Sequence, residues 1–248
     1  MPKPPKPASR PAPPVAATAP ASTGAASNPL PSTAQAPAAQ GKDLPPPIAG
    51  KAEEKPAITN PVLRATFSNK GAVISSLVLL QHTDDKKQPL ELVRQSPGSS
   101  GKPLAIEFPG NPDLTRKVAD ALFAVERPSE RSVRFSYADE AVSVTKEARF
   151  ENGYLFDVKV SVVGPSYTLV AAEGLRNPTA DEITSRYVSP ATAVVSAPSG
   201  MVRERPDKLE KPMEWPLAGH GFAGLEDNYF LAVLIPAQGA GAIAYSIP

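Results

Sequence analysis

The stretch Val133-Arg134-Phe135-Ser136-Tyr137-Ala138-Asp139-Glu140-Ala141-Val142-Ser143-Val144-Thr145-Lys146-Glu147-Ala148-Arg149-Phe150-Glu151-Asn152-Gly153-Tyr154-Leu155-Phe156-Asp157-Val158-Lys159-Val160-Ser161-Val162-Val163 decides the fold. Val133, Phe135 and Tyr137 alternate with polar residues, Ala138-Asp139-Glu140 turns the chain, and Val142, Val144, Lys146, Ala148 and Phe150 resume the alternation. Glu151-Asn152-Gly153 makes a second turn. Tyr154, Phe156, Val158, Val160 and Val162 then present an unbroken apolar face, with Asp157, Lys159 and Ser161 on the other. A period of two sends successive side chains to opposite faces, so each run reads as a half-buried strand. Connections of two or three turn residues leave no room for a crossover, and the three strands must form an antiparallel meander. Lys146 is the one charged residue on its apolar face. Gly164-Pro165 ends the run.

Upstream, Leu63, Ala65 and Phe67 alternate, Asn69-Lys70-Gly71 supplies a turn, and Ala72 to Leu80 reads as the second strand of a hairpin. The polar run His82 to Gln88 closes that element. Short strands are expected at Leu90–Val93 and Leu104–Phe108, separated by a loop with Pro97, Gly98 and Gly101. Asn111-Pro112-Asp113 combines a capping side chain with proline at the first helical position. Leu114, Val118, Ala121, Leu122 and Val125 follow at helical spacing, which predicts one short helix over about 112–122, with direct passage into a strand as an option. Downstream of Val170 the candidate strands are Ala193–Ser196, Met201–Glu204, Asn228–Ile235 and Ala240–Ile247, and prolines at 178, 190, 198, 206, 212 and 216 keep helices out. Many short strands and one helix indicate a mainly β, antiparallel sandwich rather than a parallel α/β sheet.

Residues 1–60 have a different composition. They hold 15 of the 31 prolines together with Ala, Ser and Thr tracts, and no aromatic residue precedes Phe67. Such a segment has too little apolar surface to offset the entropy of ordering it, so a disordered leader is expected over 1–60 and a folded domain over 61–248. The leader carries six Lys/Arg against three Asp/Glu, and the whole chain is at +1. That balance lacks the concentrated positive field of a nucleic-acid binder. The absence of cysteine excludes thiol catalysis, Cys-ligated metal and disulfides. Residues 1–20 are basic and Pro-rich, without the apolar segment of an export signal, and no run approaches the roughly 20 apolar residues that span a bilayer.

A search for chemistry finds little. His82 is expected in a polar loop with Thr83, Asp84 and Asp85, and His220 lies in Gly219-His220-Gly221; neither shows ligand spacing to the other. Asp84/Asp85 and Glu226/Asp227 are chain neighbours, which point to opposite faces of a strand and so do not pair as acid and base. Gly219 to Gly224 lacks the lysine and the following helix of a phosphate loop, and reads as a flexible approach to a strand. Trp215, between Glu214 and Pro216, reads as a packing residue, with a partner-binding role the sharper alternative. No catalytic, cofactor-binding or metal-binding residue is assigned.

Four segments carry a resemblance. Asn69-Lys70-Gly71 with Ile74-Ser75-Ser76-Leu77, then Pro89-Leu90-Glu91-Leu92-Val93, then the meander with Lys146 in its second strand, and finally Gly224-Leu225-Glu226-Asp227-Asn228-Tyr229-Phe230-Leu231-Ala232 occur in the order seen in the large periplasmic domain of the YidC membrane protein insertases. The last is similar to that family's Gly-x-x-Asp-x-Tyr-Phe segment. The Pro/Ala-rich leader is similar to its linker after the first transmembrane helix. One departure is Phe222, where the family usually has tryptophan. The family's first transmembrane helix and helical insertase core have no counterpart in these residues, so the resemblance implies one accessory domain, expected to be truncated at its C-terminus. It implies a mutarotase-like β-supersandwich on the periplasmic face of the inner membrane. It further implies protein partners (Sec translocon components or nascent membrane proteins), no enzyme activity and no cofactor. A free-standing envelope binding module, or a carbohydrate-binding mutarotase-like sandwich, is the alternative. If the last strands are absent, the strand Ala240–Ile247 or a neighbour is expected as an unpaired edge.

Overall fold

A computed structural model describes residues 44–84, 86–95, 101–171, 175–176, 184, 191–205, 208, 210, 213–216, 221–235 and 242–245. The chain divides into Met1–Thr33 and Ala34–Pro248, and every described residue belongs to the second unit. The first sheet has the order β1 (Ala57–Thr59), β2 (Leu63–Ser68), β3 (Val73–Thr83) and β4 (Pro89–Glu91), all antiparallel. The expected turn joins β2 to β3, with Gly71 at φ 70° and Ala72 at φ 50°. A short strand β5 (Ile106–Glu107) precedes helix α1 (Pro112–Asp120). Asn111 caps that helix by accepting from the Leu114 N–H at 3.1 Å, and Leu114 and Val118 turn its apolar stripe inward.

The meander forms the second sheet as β6 (Ala124–Ser129), β7 (Ser132–Ala138), β8 (Ser143–Phe150) and β9 (Phe156–Val163). β8 pairs with β9 at all eight positions from Ser143↔Val163 to Phe150↔Phe156, with no slip. One residue of slip would reverse every side chain, and the buried set Val144, Lys146, Ala148 and Phe150 holds the register. The inner faces of these two sheets, closed by α1, share one core in which Phe67 meets Phe135 at 5.6 Å between ring centroids. Burying each such side chain stabilises the fold by roughly 1.5–3 kcal/mol. β10 (Thr168–Leu169) pairs with β5. The remaining strands are β11 (Thr192–Ala197), β12 (Gly200–Glu204), β13 (Met213–Pro216), β14 (Ala223–Glu226), β15 (Leu231–Leu234) and β16 (Ala242–Tyr245). They form a four-stranded sheet, β12-β11-β14-β15, and the pair β13-β16. Among the described residues the fold is mainly antiparallel β with one named helix, α1.

Several expectations shift. Most of the leader lies outside the described residues, but order begins well before residue 61. Ile48 bridges Ala138, the Gly50 N–H donates to the Leu122 carbonyl, and Ile58 in β1 is buried. This strap is fixed by backbone hydrogen bonds and by Asn69, whose side chain accepts from the Glu54 N–H and donates to the Ala52 and Phe123 carbonyls. Backbone pairing of that kind leaves no apolar period to read. Val125, at helical spacing but beyond the expected end of the helix, lies in β6. His82 sits at the end of β3 rather than in the loop. Tyr154 and Tyr229, each read as a strand residue, occupy turns, because β9 starts at Phe156 and β15 at Leu231. The glycine-rich approach read at 219–224 includes the start of β14, where Gly224 passes the β15 backbone so closely that a Cβ would lie 2.0 Å from the Ala232 carbonyl oxygen. Trp215 and Pro216 belong to β13, and the C-terminal strand expected as an edge pairs with it on one side, Met213↔Tyr245 through Pro216↔Ala242.

Candidate interaction site at the loop end

Three turns meet at one end of the folded unit. The first follows β3 and is closed by Asp84, whose Oδ1 accepts from the Lys86 and Gln88 N–H groups. The second joins β8 to β9 through Gly153 at φ 68°, a left-handed geometry that suits glycine, and the Asn60 side-chain amide donates to the Gly153 carbonyl at 2.9 Å. The third joins β14 to β15 through Asp227, Asn228, Tyr229 and Phe230. His82 is the meeting point: its ring lies 6.4 Å from Tyr154 and 6.4 Å, edge-on, from Phe230, and its Nε2 is 3.4 Å from the Tyr154 hydroxyl. Offset and edge-on ring pairs of this kind contribute about 0.5–1.5 kcal/mol beyond area burial.

Beneath the rings lies an ion pair. Arg176 donates from Nε to Asp227 at 2.8 Å, and both side chains are nearly buried, at 7% and 9% exposure. The guanidinium stacks below Tyr229 and Phe230, at 5.9 and 5.7 Å from their centroids. The other oxygen of Asp227 accepts from the Tyr229 and Phe230 N–H groups at 2.8 Å each. The Asp227 of the Gly-x-x-Asp-x-Tyr-Phe segment is therefore an architectural carboxylate: it closes its own turn and neutralises the arginine that supports the rings. Above this floor Tyr229 is 72% exposed, Leu155 66%, Leu231 55% and Tyr154 50%.

Lys146 lies in the core, 1% exposed. Its Nζ donates to the carbonyls of Gly71 at 2.8 Å, Ala72 at 3.1 Å and Leu104 at 2.7 Å, and stands 5.4 Å from the centre of the Phe123 ring. All three carbonyls come from residues with positive φ, at 70°, 50° and 72°. Three acceptors match the three N–H bonds of an ammonium, which satisfies the buried group without a carboxylate. Burial pushes its pKa down to about 7, and the three carbonyls oppose that by favouring the protonated form. The alternation singled out Lys146 as an exception, but not its partners. Across α1, burial favours the neutral Asp139 carboxyl, but Lys117 at 2.7 Å, the Ala141 N–H, the Tyr137 hydroxyl and the Val142 N–H prevail and lower it to about 2. Tyr137 is raised to about 12 by burial and by Asp139. These groups clamp α1 to the β7–β8 turn.

The other residues singled out by sequence separate. Glu226 pairs with Arg203 at 2.6 Å while Asp227 pairs with Arg176, so the two carboxylates do not face each other. Asp85 and His220 lie outside the described residues. Among the described residues no group of three His, Asp or Glu side chains is close enough to hold a metal ion, and no helix is long and apolar enough to cross a membrane. The signal that was available for the loop end was the Tyr-Phe pair following Asp227; its contact with His82 and Tyr154 is tertiary.

The family described as the YidC periplasmic domain matches residues 55–247. The membrane protein insertase YidC of Chlorobaculum tepidum is 25% identical over 226 residues, an alignment covering 83% of this chain and 38% of that protein, so the chain spans well under half the length of that relative. Among solved structures, a galactose mutarotase related enzyme from Lactobacillus acidophilus is similar at a TM-score of 0.47 and 15% identity, over 71% of this chain and 74% of the other.

Proposed function

This chain belongs to the YidC periplasmic domain family, and from that premise we propose that it is the accessory periplasmic part of a membrane protein insertase, acting through contacts with other proteins rather than by catalysis. The observation that carries this reading is the family match across 55–247, nearly the whole folded unit. It implies a place on the periplasmic side of the inner membrane and an association with membrane protein substrates. The finer reading is that Sec translocon components or emerging substrate chains are the direct partners. Support comes from the form of the second sheet. β9 pairs with β8 along eight residues and, among the described residues, has no strand on its other side, so its backbone offers a row of donors and acceptors to an extended segment. Its outward side chains, Asp157, Lys159 and Ser161, keep that edge from pairing indiscriminately.

The test is site-specific photo-crosslinking in cells that make the native protein, with the reactive residue at Lys159. Adducts to translocon subunits or to nascent membrane proteins are expected. Absence of both, together with normal membrane protein insertion after deletion of the segment encoding 61–248, overturns the reading.

A further inference from the structure

An asparagine side chain holds an amide carbon within reach of the next backbone nitrogen, and such proximity turns a slow bimolecular attack into a ring closure. The following residue and the local geometry decide which asparagine reacts. Of the seven in this chain, Asn28, Asn60, Asn111 and Asn177 precede proline, whose nitrogen has no proton to lose. The fold separates the other three. Asn69 is fully buried, and its side chain is held by the Glu54 N–H and by the Ala52 and Phe123 carbonyls. The nitrogen that follows it, that of Lys70, donates to the Ser68 hydroxyl. After Asn228 the nitrogen of Tyr229 already donates to Asp227 at 2.8 Å, and its residue carries a bulky side chain. Asn152 differs on each count. It is exposed and precedes Gly153, and among the described residues neither its side chain nor the Gly153 N–H has a hydrogen-bond partner. A Cβ built on Gly153 would meet nothing within 4 Å, so the space around that residue is open. The turn itself calls for glycine at this position, with φ at 68°, and so fixes the least hindered of neighbours beside Asn152.

We propose that Asn152 is a site of spontaneous deamidation, a covalent modification of the turn that leads into β9. The Gly153 nitrogen gives its proton to a solvent base and attacks the side-chain amide carbon of Asn152. A C–N bond forms, the bond to the amide nitrogen breaks, and that nitrogen takes a proton from water and leaves as ammonia. Water then opens the cyclic imide at one carbonyl or the other, which leaves aspartate or isoaspartate at position 152. No oxidant or reductant takes part. Either product sets a new carboxylate beside Glu151, whose surroundings already include Asp157 and whose charge is balanced by Arg149 at 2.6 Å. Isoaspartate also routes the backbone through the former side chain, which lengthens it by a methylene. The turn is closed by the Glu151 N–H on the Leu155 carbonyl at 3.1 Å and by the Asn60 amide on the Gly153 carbonyl at 2.9 Å, and an extra backbone atom strains both. The entry to β9 therefore loosens as the molecule ages.

The experiment is incubation of the folded 248-residue chain in neutral and in mildly alkaline buffer, followed by peptide mapping with mass spectrometry and enzymatic methylation of isoaspartate. Asn152 should convert at least about tenfold faster than Asn69 or Asn228, equivalent to ~1.4 kcal/mol in the barrier. Conversion should be faster in the alkaline buffer, because the attacking nitrogen must first be deprotonated. Urea should change the rate at Asn152 by less than about tenfold, since the folded turn already leaves the reacting atoms free, while Asn69 speeds up once its three bonds are lost. Asn152→Gln changes only an exposed side chain, and its longer arm must close a larger, less favourable ring. Isoaspartate in that variant should fall to background, with near-ultraviolet circular dichroism checking its fold. Amide exchange at Leu155 and Phe156 should be faster in the converted protein than in the fresh one. A rate at Asn152 no higher than at Asn228 overturns the proposal. So does a rate held more than about tenfold below that in urea, which would mean that the turn keeps the nitrogen out of reach, or isoaspartate that persists in Asn152→Gln. Unchanged exchange at Leu155 and Phe156 overturns the loosening of the turn.

Discussion

The core around Lys146 and the loop end around Tyr229 break the same rule in opposite directions. One places an ammonium where the neighbours are Phe123 and Phe135; the other places tyrosine and leucine in water. The cost of each is controlled by what lies immediately beyond the exception. Lys146 is tolerated because three carbonyls, turned inward by left-handed backbone at Gly71, Ala72 and Leu104, use all of its hydrogens. Tyr229 and its neighbours are held outward by a buried ion pair that supports their undersides. The first exception is complete within the molecule. The second has only one of its two faces covered, and an incomplete exception is where a partner should be sought.

The sharpest way to break the comparison is to remove the interior cation. Lys146→Met keeps most of the volume but leaves three buried carbonyls without a donor, and a loss of about 3 kcal/mol is expected in urea unfolding. An unchanged midpoint would mean that the carbonyls relax onto water or other donors. Next in size, Asp227→Ala uncaps Tyr229 and Phe230 and takes away the carboxylate beneath the rings. A loss of about 2 kcal/mol is expected, with faster amide exchange at those two residues. Exchange that speeds up uniformly across the core instead would show that the loop end is not a separable unit.

A third prediction concerns pH. The Lys146 pKa is lowered from 10.5 in the unfolded chain to about 7 in the folded one. Between those values the unfolded state binds more protons, so stability from this group rises with pH, by at most about 1.4 kcal/mol per unit. Below about 7 both states are protonated and the cost of the buried charge is present in full. Denaturant midpoints measured from pH 7 to 10 should climb in the natural chain relative to Lys146→Met; parallel curves would show that the carbonyls hold the ammonium's pKa near its ordinary value. The smallest effect belongs to Tyr229→Ser alone, which should change stability by no more than about 0.5 kcal/mol, because the side chain is mostly in solvent. A larger loss would make Tyr229 part of the packing rather than of a surface.

Alternation along 133–163 was enough to specify three adjacent antiparallel strands and their inward faces, because a half-buried strand imposes a two-residue period whatever it packs against. Asn111-Pro112 likewise marked the start of the helix, since capping is a local matter between a side chain and the next turn. The stop after Asp120 and the ordered strap from 48 to 60 were not legible, because backbone pairing to distant strands decides them. Glu226 and Asp227 were read as neighbours on one strand, but Asp227 lies in the turn after β14, and the buried arginine that gives it its place lies 51 residues away along the chain.

The sequence by itself determined the β class, the apolar face of the meander and the family, because period, turn chemistry and segment order are written in the chain. It also exposed Lys146 as an exception. Only the tertiary structure decided that this exception is satisfied, and that His82, Tyr154 and Phe230 share one surface. Hydrogen-bond acceptors and ring partners separated by 42 to 75 residues are brought together by sheet packing, and no local pattern encodes a distance that only the packed sheets create.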